Sequence, residues 1–437
     1  MYFQIMIVLL SMVIAYAVTK WKYPVEWSIL SAAVVGGIIG SVLFSTPPIR
    51  ELFRHLVEGT STYMDIVLVF TTATIFMAIV KESGGVDYVI RATIKHFYNR
   101  RIIALLILMF IILVPGALTG AGSVSCLVVG APVALALVYL GIPRVKVTAI
   151  IFILAGLSAA APPVNIWAMI TCAGTAIPYV GFELPLAIPI LILSIFTVLF
   201  LGYKKEGDTT LEKALQDMPK VPEGMTIWKV VLPFLFFFGM IIVERIWPFS
   251  IPVMGLPLEF TIAAIIALVL SPTKIKIIQL SLDTVKRLLP LLATVIIVGI
   301  LQQVMTVTGV RGLLSYTVIT IPITLLFISL AFVLPISEGI LTYGAAALFG
   351  IPLTWYFDSI GLHATVVIAG MSLLYPLGDG LPPTALIGRL SVMVSEYKGN
   401  YLNFLKQTWV PWLVITIVGI LMIVYSSHLS FLVEWSK

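Results

Sequence analysis

Helix-breaking residues recur in this chain at a fixed distance. Pro115, Gly130, Pro132, Gly141, Pro162 and Pro163 return as Pro335, Gly350, Pro352, Gly361, Pro382 and Pro383, each 220 residues later. Proline removes a backbone donor and glycine relaxes the limits on φ, so such residues kept in register fix where a chain must turn or unwind. Both copies lie in strongly apolar sequence, and the whole chain is 60% hydrophobic and 11% charged, with a mean hydropathy of +1.12. No single core could hide that much apolar surface, which excludes a soluble globular protein and implies a polytopic membrane protein. A duplicated unit with matched interruptions in apolar segments is the pattern of a membrane transporter, and its breaks mark the transport site.

Apolar runs able to cross about 30 Å of hydrocarbon place ordinary spans near 2–18, 25–43, 66–80, 186–201, 228–246, 258–270, 289–304 and 410–425. Residues 48–64 set Leu52, Phe53, Leu56 and Val57 among charges at helical spacing, which predicts an interfacial helix; 274–288 predicts its counterpart in the second copy. Two segments per copy do not read as plain spans. Residues 102–140 are interrupted at 115–123, and a first limb of about 13 residues at 1.5 Å each falls short of a crossing. A re-entrant hairpin is predicted there and again at 321–357, with the second tip at 335–339. Residues 145–176 predict a span unwound at 158–165, repeated at 364–394 with its break at 376–384. The expected fold is therefore an all-α polytopic membrane protein of two repeats, 1–202 and 227–437, joined by a cytoplasmic linker, 203–226. About ten crossings, two hairpins and two broken spans account for its length.

Five crossings per repeat is an odd number, so the second repeat is inverted. Charge agrees: of 26 Lys and Arg, all but Arg50, Arg54, Arg245, Arg311 and Lys437 fall on one face. The positive-inside rule makes that face cytoplasmic and both termini external, in the lipid bilayer of a bacterial or archaeal cytoplasmic membrane. The net charge of +6 belongs to loops between spans, and no nucleic-acid partner is expected. Segment 2–18 has neither a basic flank before it nor a cleavage site after it and reads as a retained span. Cys126 and Cys172 read as small buried residues. Scattered histidines, with no phosphate loop, metal spacing or nucleophile elbow, point away from an enzyme.

A broken helix in hydrocarbon exposes backbone groups that protein, water or ligand must satisfy, so the four breaks should gather round one cavity. Half-helix N-termini offer N–H groups to an anion, and unwound carbonyls offer oxygen to a cation. The site is thus expected to take a small organic anion together with Na⁺ or H⁺. At the first tip, Gly116, Gly120 and Gly122 allow close approach and Thr119, Ser123 and Ser125 add hydroxyls, although such residues also simply let helices pack. At the first break, Pro162 and Pro163 strand carbonyls upstream, flanked by Ser158 and Asn165; a plain proline kink is the alternative. The second copy adds charge, Glu338 at its hairpin and Asp379 at its break. An ionisable group at membrane depth is costly and functional by default, as Na⁺ ligand or proton carrier. Arg389 either pairs with one of these carboxylates or holds the anion, and Trp167 reads as packing. The candidate anion-binding residues are Thr119, Gly120, Ser123, Asn165, Ser337 and Thr384. The candidate cation residues are Gly116, Ser158, Pro162, Glu338, Asp379 and Gly380.

Gly116-Ala117-Leu118-Thr119-Gly120 followed by Gly130-Ala131-Pro132 resembles the first hairpin of the large membrane (permease) subunit of tripartite ATP-independent periplasmic (TRAP) transporters, within the ion-transporter superfamily. Ala161-Pro162-Pro163-Val164-Asn165 and Gly380-Leu381-Pro382-Pro383-Thr384 resemble that family's double-proline breaks, and Glu338 stands near an acidic position of its second hairpin. The resemblance covers nearly the whole chain in length and order. It implies an elevator mechanism and sodium-coupled uptake of organic acids. It also implies two partners, a periplasmic substrate-binding protein and a small four-span membrane subunit. Val164-Asn165 and Asp379 depart from the family pattern. The rival readings are the membrane subunit of a sodium-translocating decarboxylase, a stand-alone organic anion symporter, and a non-transporting scaffold.

Overall fold

A computed structural model describes residues 2–207, 210–247, 252 and 254–433; Lys437, one of the cations assigned to the sparse face, lies outside them. The first repeat opens with α1 (Tyr2–Lys20), α2 (Val25–Phe44), α3 (Ile49–Ser61), α4 (Met64–Glu82) and α5 (Gly85–Phe97). Its hairpin follows as α6 (Arg101–Thr119), α7 (Gly122–Ser125), a π-helical turn at Cys126–Gly130 and α8 (Ala131–Tyr139). The broken span is α9 (Arg144–Ala160) and α10 (Ile166–Thr175), and α11 (Glu183–Gly202) closes the repeat. The linker holds α12 (Leu211–Asp217). The second repeat runs α13 (Ile227–Ile246), α14 (Leu256–Leu270), α15 (Ile277–Val307), α16 (Val310–Thr320) and α17 (Ile323–Leu341). It continues through a π-helical turn at Ala346–Gly350 to α18 (Ile351–Ser359), then α19 (Ala364–Gly378), α20 (Leu386–Val394), α21 (Tyr401–Gln407) and α22 (Trp409–Val424). Among the described residues, nine helices are long and apolar enough to cross a membrane, or ten if the bent pair α21–α22 is one span. Among the described residues the fold is all-helical and polytopic.

The hairpins differ from expectation in length. Pro115 and Pro335 do not end their helices but sit inside α6 and α17, each of 19 residues. Proline costs a helix one backbone bond and loosens the preceding turn; in α6 the Ser125 hydroxyl donates to the Ile112 carbonyl at 2.8 Å and satisfies an acceptor in that turn. The second tip therefore falls at Thr342–Ala345, after the predicted 335–339, and Ser337, Glu338 and Gly339 lie on the last turns of α17. The segment 274–288 is also not a separate interfacial helix: α15 runs unbroken through Pro290. In the first copy, Thr62 and Tyr63 do separate the amphipathic α3 from α4. Two amphipathic helices went unrecognised, α5 and α16, which start after Gly84 and Gly309, both at positive φ.

A pseudo-twofold axis is visible in the contacts. Gly156 and Pro376 occupy equivalent positions in the two copies, and a Cβ built on Gly156 would stand 3.2 Å from Pro376 Cβ. A residue that meets its own equivalent lies on the axis, as in an isologous interface. Off the axis the contacts exchange. Gly130, at the end of the first π-helical turn, packs on Val394 of α20, and its equivalent Gly350 packs on Thr171 of α10. Likewise α4 packs on α14, and α15 on α2.

The helices sort into two groups. The spans α1–α4 and α13–α15 pack on one another, with Gly59 of α3 and Gly299 of α15 close enough that a Cβ on either would strike the other's backbone. The hairpins, broken spans, α11 and α22 form the other group, around α9 and α19, which are buried from Val147 and Thr365 to their ends. Small residues set its closest approach, since a Cβ on Gly370 or Gly419 would meet the other's carbonyl at 2.8 or 3.0 Å. Without a hydrophobic drive between helices in lipid, such close packing is what holds them together.

Candidate functional site

Each hairpin docks on the break of its own repeat. At the first, the Val164 N–H donates to the Ala117 carbonyl at 3.1 Å. At the second, the Thr384 N–H and hydroxyl both donate to the Gly339 carbonyl, at 3.2 and 2.9 Å. Both breaks carry a cis Pro-Pro bond, Pro162-Pro163 and Pro382-Pro383. Each hairpin thus meets a span at its break rather than beyond its far end, the contact expected of a re-entrant hairpin, although its first limb of 19 residues is longer than the sequence suggested. The two tips also meet each other, through the Tyr343 hydroxyl donating to the Gly120 carbonyl at 3.4 Å.

The contact between hairpin and broken span is built with opposite parts in the two copies. In the first, a Cβ on Gly116 would fall 1.9 Å from Ser158 Oγ. In the second, the small residue is on the span, and a Cβ on Gly378 would fall 2.0 Å from the Pro335 carbonyl oxygen and 2.8 Å from Glu338 Cβ. Glycine at 378, the position equivalent to Ser158, is what admits a glutamate beside the break. Glu338 is 1% exposed, and its Oε2 has no hydrogen-bond partner among the described residues. It interacts with the buried carboxyl of Asp379 and with the indole of Trp167. Trp167 stacks on Tyr375 at 6.1 Å and lies 5.4 Å from Tyr343, and the Tyr375 hydroxyl also lacks a hydrogen-bond partner among the described residues. Unpartnered polar atoms in a buried space are expensive. A carboxylate with a free oxygen in such a space can accept a proton or a small cation.

Beside this pair lies a cavity of about 890 Å³ between the two helix groups. Ser123 and Thr342 from the hairpin tips line it, with Pro383, Thr384 and Arg389 from the second break and its half-helix. Across from them stand the ends of α1 and α4 and the starts of α2 and α15, bringing Lys20, Lys81, Lys274, Lys276 and Arg287. All six cations belong to the face that charge counting makes cytoplasmic. Glu26, Glu82 and Asp283 are the acids of the lining. None of these nine side chains enters an ion pair within 4 Å with another described residue.

The fold has counterparts among solved structures. The chain is similar to the Alcanivorax borkumensis YdaH transporter, with a TM-score of 0.61 and 14% identity over 94% of this chain and 98% of that one. It is also similar to Neisseria gonorrhoeae MtrF, which belongs to a class of antimetabolite efflux pumps, with a TM-score of 0.63 and 11% identity over 94% and 97% of the two chains. No protein-family model matches the sequence, and no curated protein matches it. The shared fold is that of transporters, and it covers both repeats.

Within that fold the expected residues divide. Ser123 and Thr384 reach the cavity; Glu338 does not line it but lies against Gly378, the residue before the buried Asp379. Thr119 and Ser337 do not face it; their hydroxyls turn back onto the Pro115 and Leu334 carbonyls at 2.7 and 2.8 Å. Gly120 serves the tip contact. Ser158 is held by the Ala155 carbonyl at 2.6 Å and Ser125 Oγ at 3.1 Å, beside Gly116. Pro162 is part of the first break, and the Gly380 carbonyl accepts from the Tyr401 hydroxyl at 2.9 Å. Asn165 ties the two sides of the break and does not line the cavity: its Oδ1 caps α10 by accepting from Ala168 N–H at 3.0 Å, and its Nδ2 donates to the Ala160 carbonyl at 2.8 Å. The expected pairing of Arg389 with a carboxylate is also absent among the described residues. Its guanidinium donates to the Pro383 carbonyl at 3.2 Å and faces the cavity. Lys20, Lys81, Arg287 and Thr342 went unremarked, because they come from segments far apart in sequence and only the fold gathers them. Lys81 left one signal, a lone cation one residue from the end of an apolar run.

Proposed function

We propose that this chain is a secondary active transporter that moves a small organic anion, such as a carboxylate, coupled to Na⁺ or H⁺. The observation that carries the reading is a buried carboxylate with an oxygen that no described residue partners, Glu338, packed against Gly378 next to Asp379, beside a cation-lined cavity at the hairpin tips. The cavity supplies the anion's countercharge. Glu338 and Asp379 take the coupling cation, which travels as cargo, and its arrival removes the cost of their burial. Motion of the hairpin group against the spans α1–α4 and α13–α15 would carry the cavity contents across, in the elevator manner that the TRAP resemblance implies. On the same resemblance, a small membrane subunit and a periplasmic binding protein are the partners, and the basic face is cytoplasmic.

The test is flux in proteoliposomes holding purified protein, with a panel of labelled organic acids under an imposed Na⁺ or proton gradient. Transport driven by one of the two gradients supports the reading. Gradient-independent equilibration that survives loss of both Glu338 and Asp379 sinks the coupling. The likeness to MtrF, an efflux pump by description, favours a second reading of direction, export instead of uptake. Right-side-out and inside-out vesicles separate the two.

A further inference from the structure

The cavity's charges are not distributed symmetrically, although the fold is. Arg389 is the one cation of the lining that stands on the hairpin and broken-span group; Lys81 and Arg287 face the same cavity from α4 and α15. The repeat provides an internal comparison. At the same offset of 220 residues, Lys81 corresponds to Leu301, Arg287 to Val67 and Arg389 to Met169. Leu301 and Met169 are buried and Val67 is half-buried, all apolar. One mouth of the duplicated site thus carries three cations that the other copy replaces with hydrocarbon.

Nothing in the packing requires these charges. Lys81 Nζ donates to the Leu127 carbonyl at 2.6 Å, on the first π-helical turn. That turn has an equivalent at Ala346–Gly350, which keeps its shape with Leu301 at the lysine's position. Arg389 donates to the Pro383 carbonyl; at the equivalent break, with Met169 in the arginine's place, the neutral Tyr179 hydroxyl donates to the Pro163 carbonyl at 3.1 Å, so that acceptor does not require a charge. Charges that the fold does without, and that no carboxylate of the described residues neutralises within 4 Å, leave a net positive potential in a partly enclosed space with apolar walls, where field lines are focused.

We infer that Lys81, Arg287 and Arg389 are the residues that select the substrate by charge, acting at the mouth where this cavity opens. Lys81 and Arg287, whose charges are near enough to repel each other, form the fixed side. Arg389 stays with the anion on the hairpin side. The inference deepens the reading of the chain as an anion transporter and rests on it for its biological meaning, but its test does not require transport or a known substrate.

The reporter is Leu386→Cys, a half-buried cavity position, in a full-length chain whose buried Cys126 and Cys172 are replaced by alanine. The probes are two thiol reagents of similar size and opposite charge, sulfonatoethyl and trimethylammonioethyl methanethiosulfonate. Their rate ratio is normalised to that with a small free thiol. At low salt the anionic reagent should react several-fold faster. Each of Lys81→Met, Arg287→Met and Arg389→Met should lower the ratio about fivefold, the Coulomb effect of one unit charge at roughly 8 Å in water on reagents of opposite sign. Lys81→Arg and Arg389→Lys should preserve it, which separates charge from packing, and about 1 M salt should bring it near one in the parent protein. A parent ratio near one at low salt overturns the inference even if every variant misfolds. So does a ratio that the three methionine variants leave unchanged. Loss of gradient-driven flux with the labelling ratio intact would count against the transport reading alone.

Discussion

Replacing Asn165 separates two roles that its position could serve. Its side chain is fully buried and makes two hydrogen bonds, one to each half of the broken span. Asn165→Ala removes the N-cap of α10, worth about 1 kcal/mol, and leaves the Ala160 carbonyl buried without that donor, worth about 1–3 kcal/mol more. The loss should therefore total roughly 2–4 kcal/mol. Asn165→Ser restores a good cap but does not reach Ala160, so it should recover only about 1 kcal/mol of that. Equilibrium unfolding in mixed detergent micelles should rank the proteins Asn above Ser above Ala. The KM for whichever acid is transported should change little in the folded fraction, because Asn165 is fully buried and does not line the cavity. Wild-type stability in Asn165→Ala together with a large rise in KM would refute this reasoning and return Asn165 to the substrate.

Other perturbations test the remaining contacts. Gly378→Ala places a methyl 2.0 Å from the Pro335 carbonyl oxygen; a backbone neighbour cannot rotate away, so a loss of about 3 kcal/mol or more and poor recovery after detergent extraction are expected. Tyr343→Phe removes the hydrogen bond between the two hairpin tips and should cost about 1 kcal/mol in the same unfolding assay, with faster thiol labelling of a cysteine placed at Ser123. Glu338→Gln removes the charge while nearly conserving shape; it should fold at least as stably as the parent and lose gradient-driven accumulation.

Much of this architecture can be read from the sequence because proline and glycine act locally. Pro162-Pro163 and Pro382-Pro383 break their spans whatever surrounds them, and the fixed offset ties the copies together. Basic loops report the inversion for the same reason, since each charge is placed by the bilayer and not by a partner. What cannot be read depends on neighbours. Pro115 and Pro335 look like breaks but lie inside helices, where packing of the hairpin holds the turn and Ser125 occupies the Ile112 carbonyl. Pro290 is likewise carried by α15, which also runs without interruption through Leu282 and Asp283, the equivalents of the Thr62 and Tyr63 that separate α3 from α4. The amphipathic α5 and α16 were missed for want of an apolar run, although Gly84 and Gly309 mark their starts. Glu338 and Asp379 stand out in sequence as charges at membrane depth. Asn165 also stands out, but an asparagine just before an apolar helix is an N-cap signal, and that local rule describes it better than substrate binding. The cavity is the least legible part: Lys20 and Arg389 lie at nearly opposite ends of the chain and face one space.

The most direct measurement is simultaneous flux of the transported acid and of Na⁺ or protons in proteoliposomes, comparing wild type with Glu338→Gln. The account predicts that the wild type accumulates the acid above its external concentration only while the cation gradient lasts, with a fixed ratio of cation to acid moved. Glu338→Gln should at most equilibrate the acid and carry no coupled cation. A wild type that never exceeds equilibrium under either gradient, or a Glu338→Gln protein that accumulates as the wild type does, would contradict the assignment of this buried carboxylate as the coupling site.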